Sequence, residues 1–305
     1  MYILVAKQLL TMAIIGFGGF IFAKIFKVTE PERKFLSKLL MYFINPCMVL
    51  NSFNRDFQSE KLALLGIVVI LSLIIHFVMI VLGVFTTRQK IDRLAIAFTN
   101  CGFIGIPLIR GVFGDEGVIF LMGYLAVFNI LVWTYGYYQL CGKINILKVI
   151  TNPNIIAVFL GIIVFCMPFN LPEVISKPLS MIADTNTAIC MVLVGVLLAD
   201  FHPSASKEVF PRLAKMSLLR LVACAVVNIA ILFLAYKIIG SLTDSRMVIF
   251  VVLICSMCPV ATSIPSLACL FNQDAAYASL TVSLTSILCI ITLPSFVALA
   301  ELIIK

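Results

Sequence analysis

The 305-residue chain is 62% hydrophobic and only 12% charged, with a mean hydropathy of +1.16; a soluble domain has roughly 45–50% apolar and 25% charged residues, so a water-soluble fold is excluded. At roughly 20 apolar residues per crossing plus short connections, the length leaves room for about ten membrane spans and no sizeable extramembranous domain. The formal charge of +8 lies in short gaps between apolar runs and not on one polar face, which argues against nucleic-acid binding and marks the cations as topology signals.

Apolar runs bounded by charge or by Pro/Gly clusters predict an all-α membrane protein of ten transmembrane helices, at Ile3–Phe26, Phe35–Phe53, Leu62–Phe85, Leu94–Phe113, Val118–Leu140, Pro153–Pro168, Pro178–Phe201, Leu213–Ile239, Met247–Phe271 and Ala275–Ile304. The first lacks a small-residue cleavage site and reads as a retained helix. In the second, Asn45 precedes Pro46, where its amide either caps broken backbone or meets a substrate. The third carries His76 at mid-span, a hydrogen-bonded core imidazole or a proton-coupling group. The sixth, at about 16 residues, is near the lower limit for a span. The seventh holds Asp184 and Asn186; an acid at membrane depth is a functional candidate, whereas one near the outer interface is not. Lys7 and Lys305 are placed to snorkel to the interface.

The fourth and ninth helices are interrupted. TNCGFIGIPL puts Asn100, Gly102, Gly105 and Pro107 at mid-membrane, and CPVATSIPSL puts Pro259, Thr262, Ser263 and Pro265 in the equivalent stretch of the ninth. Proline removes an N–H and crowds the preceding turn, while glycine permits departures from helical geometry. Non-helical backbone in a bilayer is tolerated only against protein or a water-filled cavity. Paired breaks in corresponding helices are therefore the best sequence pointer to a midplane substrate site, where half-helix N-termini offer N–H groups to an anion. The plainer alternative is a pair of Pro kinks with no ligand.

The short loops give the orientation. Lys24, Lys27, Arg33, Lys34, Lys38, Arg88, Lys90, Arg93, Lys143, Lys148, Lys207, Arg212 and Lys215 fall in or beside odd-numbered connections, thirteen in all. Only six, Arg55, Lys61, Arg110, Lys177, Lys237 and Arg246, fall in even-numbered ones. This excess places the odd connections in the cytoplasm and both termini outside.

The halves also resemble each other in order. Cys47-Met-Val-Leu50 recurs as Cys190-Met-Val-Leu193, each preceded by an Asn (Asn45, Asn186). Arg93 opens the fourth helix as Arg246 opens the ninth, and Pro107 and Pro265 stand six residues before Phe113 and Phe271. A repeated unit of five helices must enter the membrane the opposite way the second time, so residues 1–142 and 143–305 are expected to be inverted repeats.

Little points to catalysis or metal chemistry. The ten cysteines (Cys47, Cys101, Cys141, Cys166, Cys190, Cys224, Cys255, Cys258, Cys269 and Cys289) have no loop spacings of a disulfide framework and read as small packing residues. The CxxC of Cys255 and Cys258 lacks a second pair or a His cluster, and His76 and His202 are the only imidazoles. Without His-Glu-x-x-His or Gly-x-Ser-x-Gly, no enzyme, metal or cofactor is expected.

The run RLAIAFTNCGFIGIPLIRGVFGD from Arg93 to Asp115 resembles the signature of the auxin efflux carrier family, and so do INPCMVL, NPNIIAVFLG, VGVLLAD and the stretch from Cys258 to Pro294. The chain is similar to the short prokaryotic members, which implies a bacterial inner membrane. The resemblance implies a scaffold domain (first, second, sixth and seventh helices), a transport domain crossing at Pro107 and Pro265, a homodimer, and alternating access. By position, Asn129 and Trp133 would match pocket residues of the family, although plant members carry a tyrosine where this chain has Trp133. That departure, with the carboxylate substrates associated with prokaryotic relatives, points to a small organic anion such as malate or malonate, or an auxin-like acid. A sodium-coupled bile-acid-type symporter and a nontransporting receptor on the same fold are the alternatives.

Overall fold

The computed structural model describes residues 1–54, 59–142, 147, 150–167, 170–199 and 209–304; Arg55, Lys143, Lys148, Lys207, His202 and Lys305, singled out above, lie outside them. Among the described residues the backbone is helical between short connections, with one antiparallel bridge, Thr99 to Val260. In chain order the helices are α1 (Tyr2–Phe26), α2 (Glu30–Leu39), α3 (Asn45–Phe53), α4 (Ser59–Thr86), α5 (Lys90–Ala97), α6 (Ile106–Leu131), α7 (Tyr137–Cys141) and α8 (Pro153–Phe165). They continue as α9 (Glu173–Ala199), α10 (Val209–Leu218), α11 (Cys224–Ile239), α12 (Ser245–Met257), α13 (Ser263–Leu270) and α14 (Ala275–Ile303). Single wide turns of i→i+5 geometry at Leu40–Ile44, Cys101–Gly105, Val132–Gly136 and Leu219–Ala223 join α2 to α3, lead into α6, join α6 to α7, and join α10 to α11.

Among the described residues, six helical stretches are long and apolar enough to cross a membrane: Tyr2–Phe26, Glu60–Thr86, Cys101–Cys141, Glu173–Ala199, Val209–Ile239 and Ala275–Ile303. Ile155–Phe165 and Ser245–Met257 are apolar but shorter. The stretch Cys101–Cys141 contains both the end of the predicted fourth helix and the whole of the predicted fifth. Its hydrogen bonding continues past the expected gap, but Gly114 at φ 66°, ψ −164° bends the backbone there, in a region that a side chain would strain. The second helix starts earlier than its apolar run, at Glu30. Thr29 and Glu32 form a reciprocal capping box, the Thr29 N–H donating to the Glu32 carboxylate at 2.6 Å. Those bonds from the Thr29 backbone and hydroxyl hold the Glu32 carboxyl below its usual range.

Helix α1 carries no amphipathic stripe. Ile14, Phe17, Phe22 and Ile25 are exposed on one side, as lipid would require, while Gly16 and Gly19 are buried on the other against α9. A Cβ built on Gly195 of α9 would fall on the Gly16 carbonyl oxygen, and one on Gly19 would lie 2.8 Å from the Val192 Cα. The two backbones thus touch through small residues, the usual solution where lipid is as apolar as leucine. At the chain ends, the Met1 amine pairs with Glu301 at 2.8 Å, so α1 begins and α14 ends on the same face.

Candidate functional site

Helices α5 and α12 both stop short in the interior, at Ala97 and Met257, and the chain turns extended at Phe98 and irregular at Cys258. The two breaks pair with each other. The Asn100 N–H donates to the Pro259 carbonyl at 2.7 Å, and the Ala261 N–H to the Phe98 carbonyl at 3.2 Å. Val260 N–H is satisfied by the Thr285 hydroxyl at 3.2 Å. Backbone groups freed by Pro and Gly thus find partners across the crossing, which resolves the cost of opening a helix in an apolar medium.

Beyond the breaks the chain turns helical again. Cys101–Gly105 begins at Asn100, whose carbonyl accepts from Ile104 at 3.0 Å and Gly105 at 3.3 Å, and α13 begins at Ser263. Two helix N-termini therefore leave the crossing together, each with a partial positive end. Around them, the Asn100 Nδ2, the Thr99 Oγ1 and the Ser263 Oγ are buried without a hydrogen-bond partner. Gly102, Thr262, Ser263 and Pro265 are partly exposed, while Asn100, Gly105, Pro107 and Pro259 are buried. The structure thus brings the fourth- and ninth-helix candidates together.

The other candidates lie around this crossing in different ways. Asn129 donates to Leu125 of its own helix at 2.9 Å, and partly exposed Trp133 sits in the wide turn after α6. Their helix touches the break through Phe98, whose ring packs on Phe128 at 5.7 Å and Tyr135 at 6.3 Å. His76 is fully buried, its Nδ1 2.7 Å from the Ser72 carbonyl and its ring 5.0 Å from that of Tyr124. Its Nε2 has no partner. Asn45 accepts from the Asn186 amide at 2.6 Å, both residues buried. Asp184 is mostly exposed and paired with Arg110 at 2.7 Å; the same guanidinium reaches Asp115 at 2.9 Å and the Ala183 carbonyl at 3.1 Å, tying the half-helix beyond Pro107 to α9. At the opposite end of α5, buried Asp92 takes a two-pronged contact from Arg212, both bonds at 3.0 Å, and that guanidinium stacks over Tyr277 at 3.9 Å.

Arg220 is a functional candidate outside the residues named from sequence. Its side chain, 1% exposed, lies in the wide turn between α10 and α11 and donates to Ile96 at 2.8 Å and to Cys258 at 2.9 Å. It thereby caps the carbonyl ends of both broken helices, where a cation is favoured by their dipoles. The signal was present: a charge inside a predicted span is a functional candidate by default.

Comparison with known families matches residues 4–143 and 139–297 to the family described as membrane transport protein. No curated protein matches the chain. With nearly its whole length matched, the chain belongs to the membrane transport protein family, that of the auxin efflux carriers.

Proposed function

We propose that the chain is a secondary transporter that moves a small organic anion, a carboxylate such as malate or malonate or an auxin-like acid, by alternating access at the crossing. The observation that carries this reading is the pairing of the two breaks, Asn100 to Pro259 and Ala261 to Phe98, in an otherwise apolar helical protein. It supports a substrate position built from Asn100, Gly102, Gly105 and Pro107 on one side and Pro259, Thr262, Ser263 and Pro265 on the other. Asn45, Asn129 and Trp133 complete the proposed site. The unpartnered Asn100 amide can donate to a carboxylate, and the helix N-termini supply further N–H groups.

The same reading takes the chain as ten spans in two inverted repeats, assembled as a homodimer as the family resemblance implies. Asn45 and Asn186, each shortly ahead of one copy of the repeated Cys-Met-Val-Leu, bond to each other across the proposed halves. The proposed division follows Gly142, which ends α7 at φ 73°, and is supported by two family-matched stretches that overlap at residues 139–143. The Arg110–Asp184 pair would close one face. Its two side chains are 21% and 62% exposed. A pair so exposed contributes about 0.2–1 kcal/mol, weak enough to open during a cycle.

A thermal-shift screen of the purified protein against carboxylates and indole acids tests the ligand class. A binder at 100 times its dissociation constant stabilises the folded state by about 2.7 kcal/mol. Saturable stabilisation by at least one of these acids is expected, and none across the panel would contradict the reading. Orientation is tested separately, by labelling a cysteine substituted for Lys143. Protection from an impermeant reagent added outside is expected, and labelling from outside would reverse the proposed topology.

A further inference from the structure

The surroundings of Arg220 carry an inference about cations. All four of its hydrogen bonds run to backbone carbonyls: Nε to Cys258 at 3.3 Å, Nη1 to Ile96 at 2.8 Å, and Nη2 to Ser256 at 2.5 Å and Cys258 at 2.9 Å. No ion pair joins it to a carboxylate among the described residues; Asp92, on the same α5 helix as Ile96, is taken by Arg212. Asn228, farther along the same helical stretch, donates from its Nδ2 to the Ser256 carbonyl at 3.4 Å.

Three carbonyls from two helix ends thus converge on one buried point. Each helix end carries roughly half a negative charge, and carbonyls in the last turn lack an intrahelical N–H partner. A convergence of neutral oxygens is the coordination chemistry of a hard monovalent cation, which exchanges its hydration shell for carbonyls. A guanidinium meets the same need with a planar fork of donors.

We propose that Arg220 is a tethered cation filling a carbonyl-lined site at the crossing, so that the two broken helices are held together without a free sodium or potassium ion. Substituting Arg220 by alanine would leave the Ile96, Ser256 and Cys258 carbonyl oxygens as a vacant site for a small monovalent cation or a free guanidinium compound. The proposal bears on coupling only through the transport reading above, but the site itself stands on the contacts of Arg220. It argues against the sodium-symporter alternative at this position, since the place for the ion is taken.

The test is thermal melting of the purified protein in sodium, potassium and choline chloride at one ionic strength. Wild type should melt alike in all three. Arg220→Ala should melt several degrees lower in choline, recover part of the loss with millimolar methylguanidinium, and regain more in sodium than in choline. Arg220→Lys, which keeps the charge, should retain most of the wild-type melting temperature, and Arg220→Gln, which keeps a donor without charge, should not. That second pair decides the matter if the alanine variant fails to fold. Sodium-specific stabilisation of wild type, equal stability of the Lys and Gln variants, or an Arg220→Ala protein that methylguanidinium lifts no more than choline would each overturn the proposal. None of these readings uses a substrate, so absence of carboxylate flux would sink the transport reading and leave this result standing.

Discussion

Asn100→Ala is expected to leave the melting temperature of the empty protein nearly unchanged while weakening carboxylate binding by about tenfold to a hundredfold, or roughly 1.4–2.8 kcal/mol. The unusual half of that expectation is the first. A buried side chain that completes a hydrogen bond costs about 1–3 kcal/mol to remove, because its partner is orphaned. At Asn100 the bonds that hold the crossing come from the backbone: its N–H serves Pro259 and its carbonyl serves Ile104 and Gly105. The Nδ2 serves nothing, and an alanine there orphans no partner of it. In the proposed site that donor pairs with the carboxylate. Melting without ligand and affinity for the best carboxylate from the screen can be measured on one preparation. A variant that melts much earlier yet binds normally would assign Asn100 to the framework of the crossing and remove it from the site.

Gly195→Ala is expected to destabilise the protein by about 1–3 kcal/mol or more, the range for overpacking a well-filled interior. The added methyl would overlap the Gly16 carbonyl oxygen and lie 2.7 Å from the Phe20 nitrogen, both backbone atoms that no rotamer change can move aside. Helices α1 and α9 would have to separate along their contact. Gly18→Ala is the control. It lies two residues along from Gly16 on the exposed side of α1, with nothing within 4 Å of the new Cβ. Replacing a helical glycine by alanine in open space gains up to about 1 kcal/mol. Opposite signs for the two substitutions are therefore predicted in one detergent, by thermal or denaturant unfolding. Equal effects would mean that α1 and α9 do not meet as described.

The parts of this arrangement that sequence made legible are those written locally. Pro and Gly inside apolar runs announced the breaks near Asn100 and Pro259, because their effect on a helix is independent of what lies across from them. Thr29 and Glu32 announced the true start of the second helix as well, but a reading based on hydropathy began it at Phe35, after the polar first turn. Gly114 could be seen as a punctuation mark, though not that helical hydrogen bonding would resume around it. What stayed hidden depends on distant partners. Nothing near Arg220 says that carbonyls 124 and 38 residues away meet at its guanidinium. The repeated Asn before each Cys-Met-Val-Leu hinted at symmetry, yet only the fold puts the Asn45 and Asn186 amides in contact. Likewise, sequence left Asp184 between membrane depth and the outer interface, and only its pairing with Arg110 and its exposure separate the two.

The most direct test of the central claim is counterflow: proteoliposomes loaded with the carboxylate identified by thermal shift, then given a trace of the same compound radiolabelled outside. Saturable, transient accumulation of label without an added energy source is predicted, reduced in Asn100→Ala in proportion to its lost affinity. Binding of the carboxylate with label entry no faster than in protein-free vesicles would contradict the account and make the crossing a receptor site.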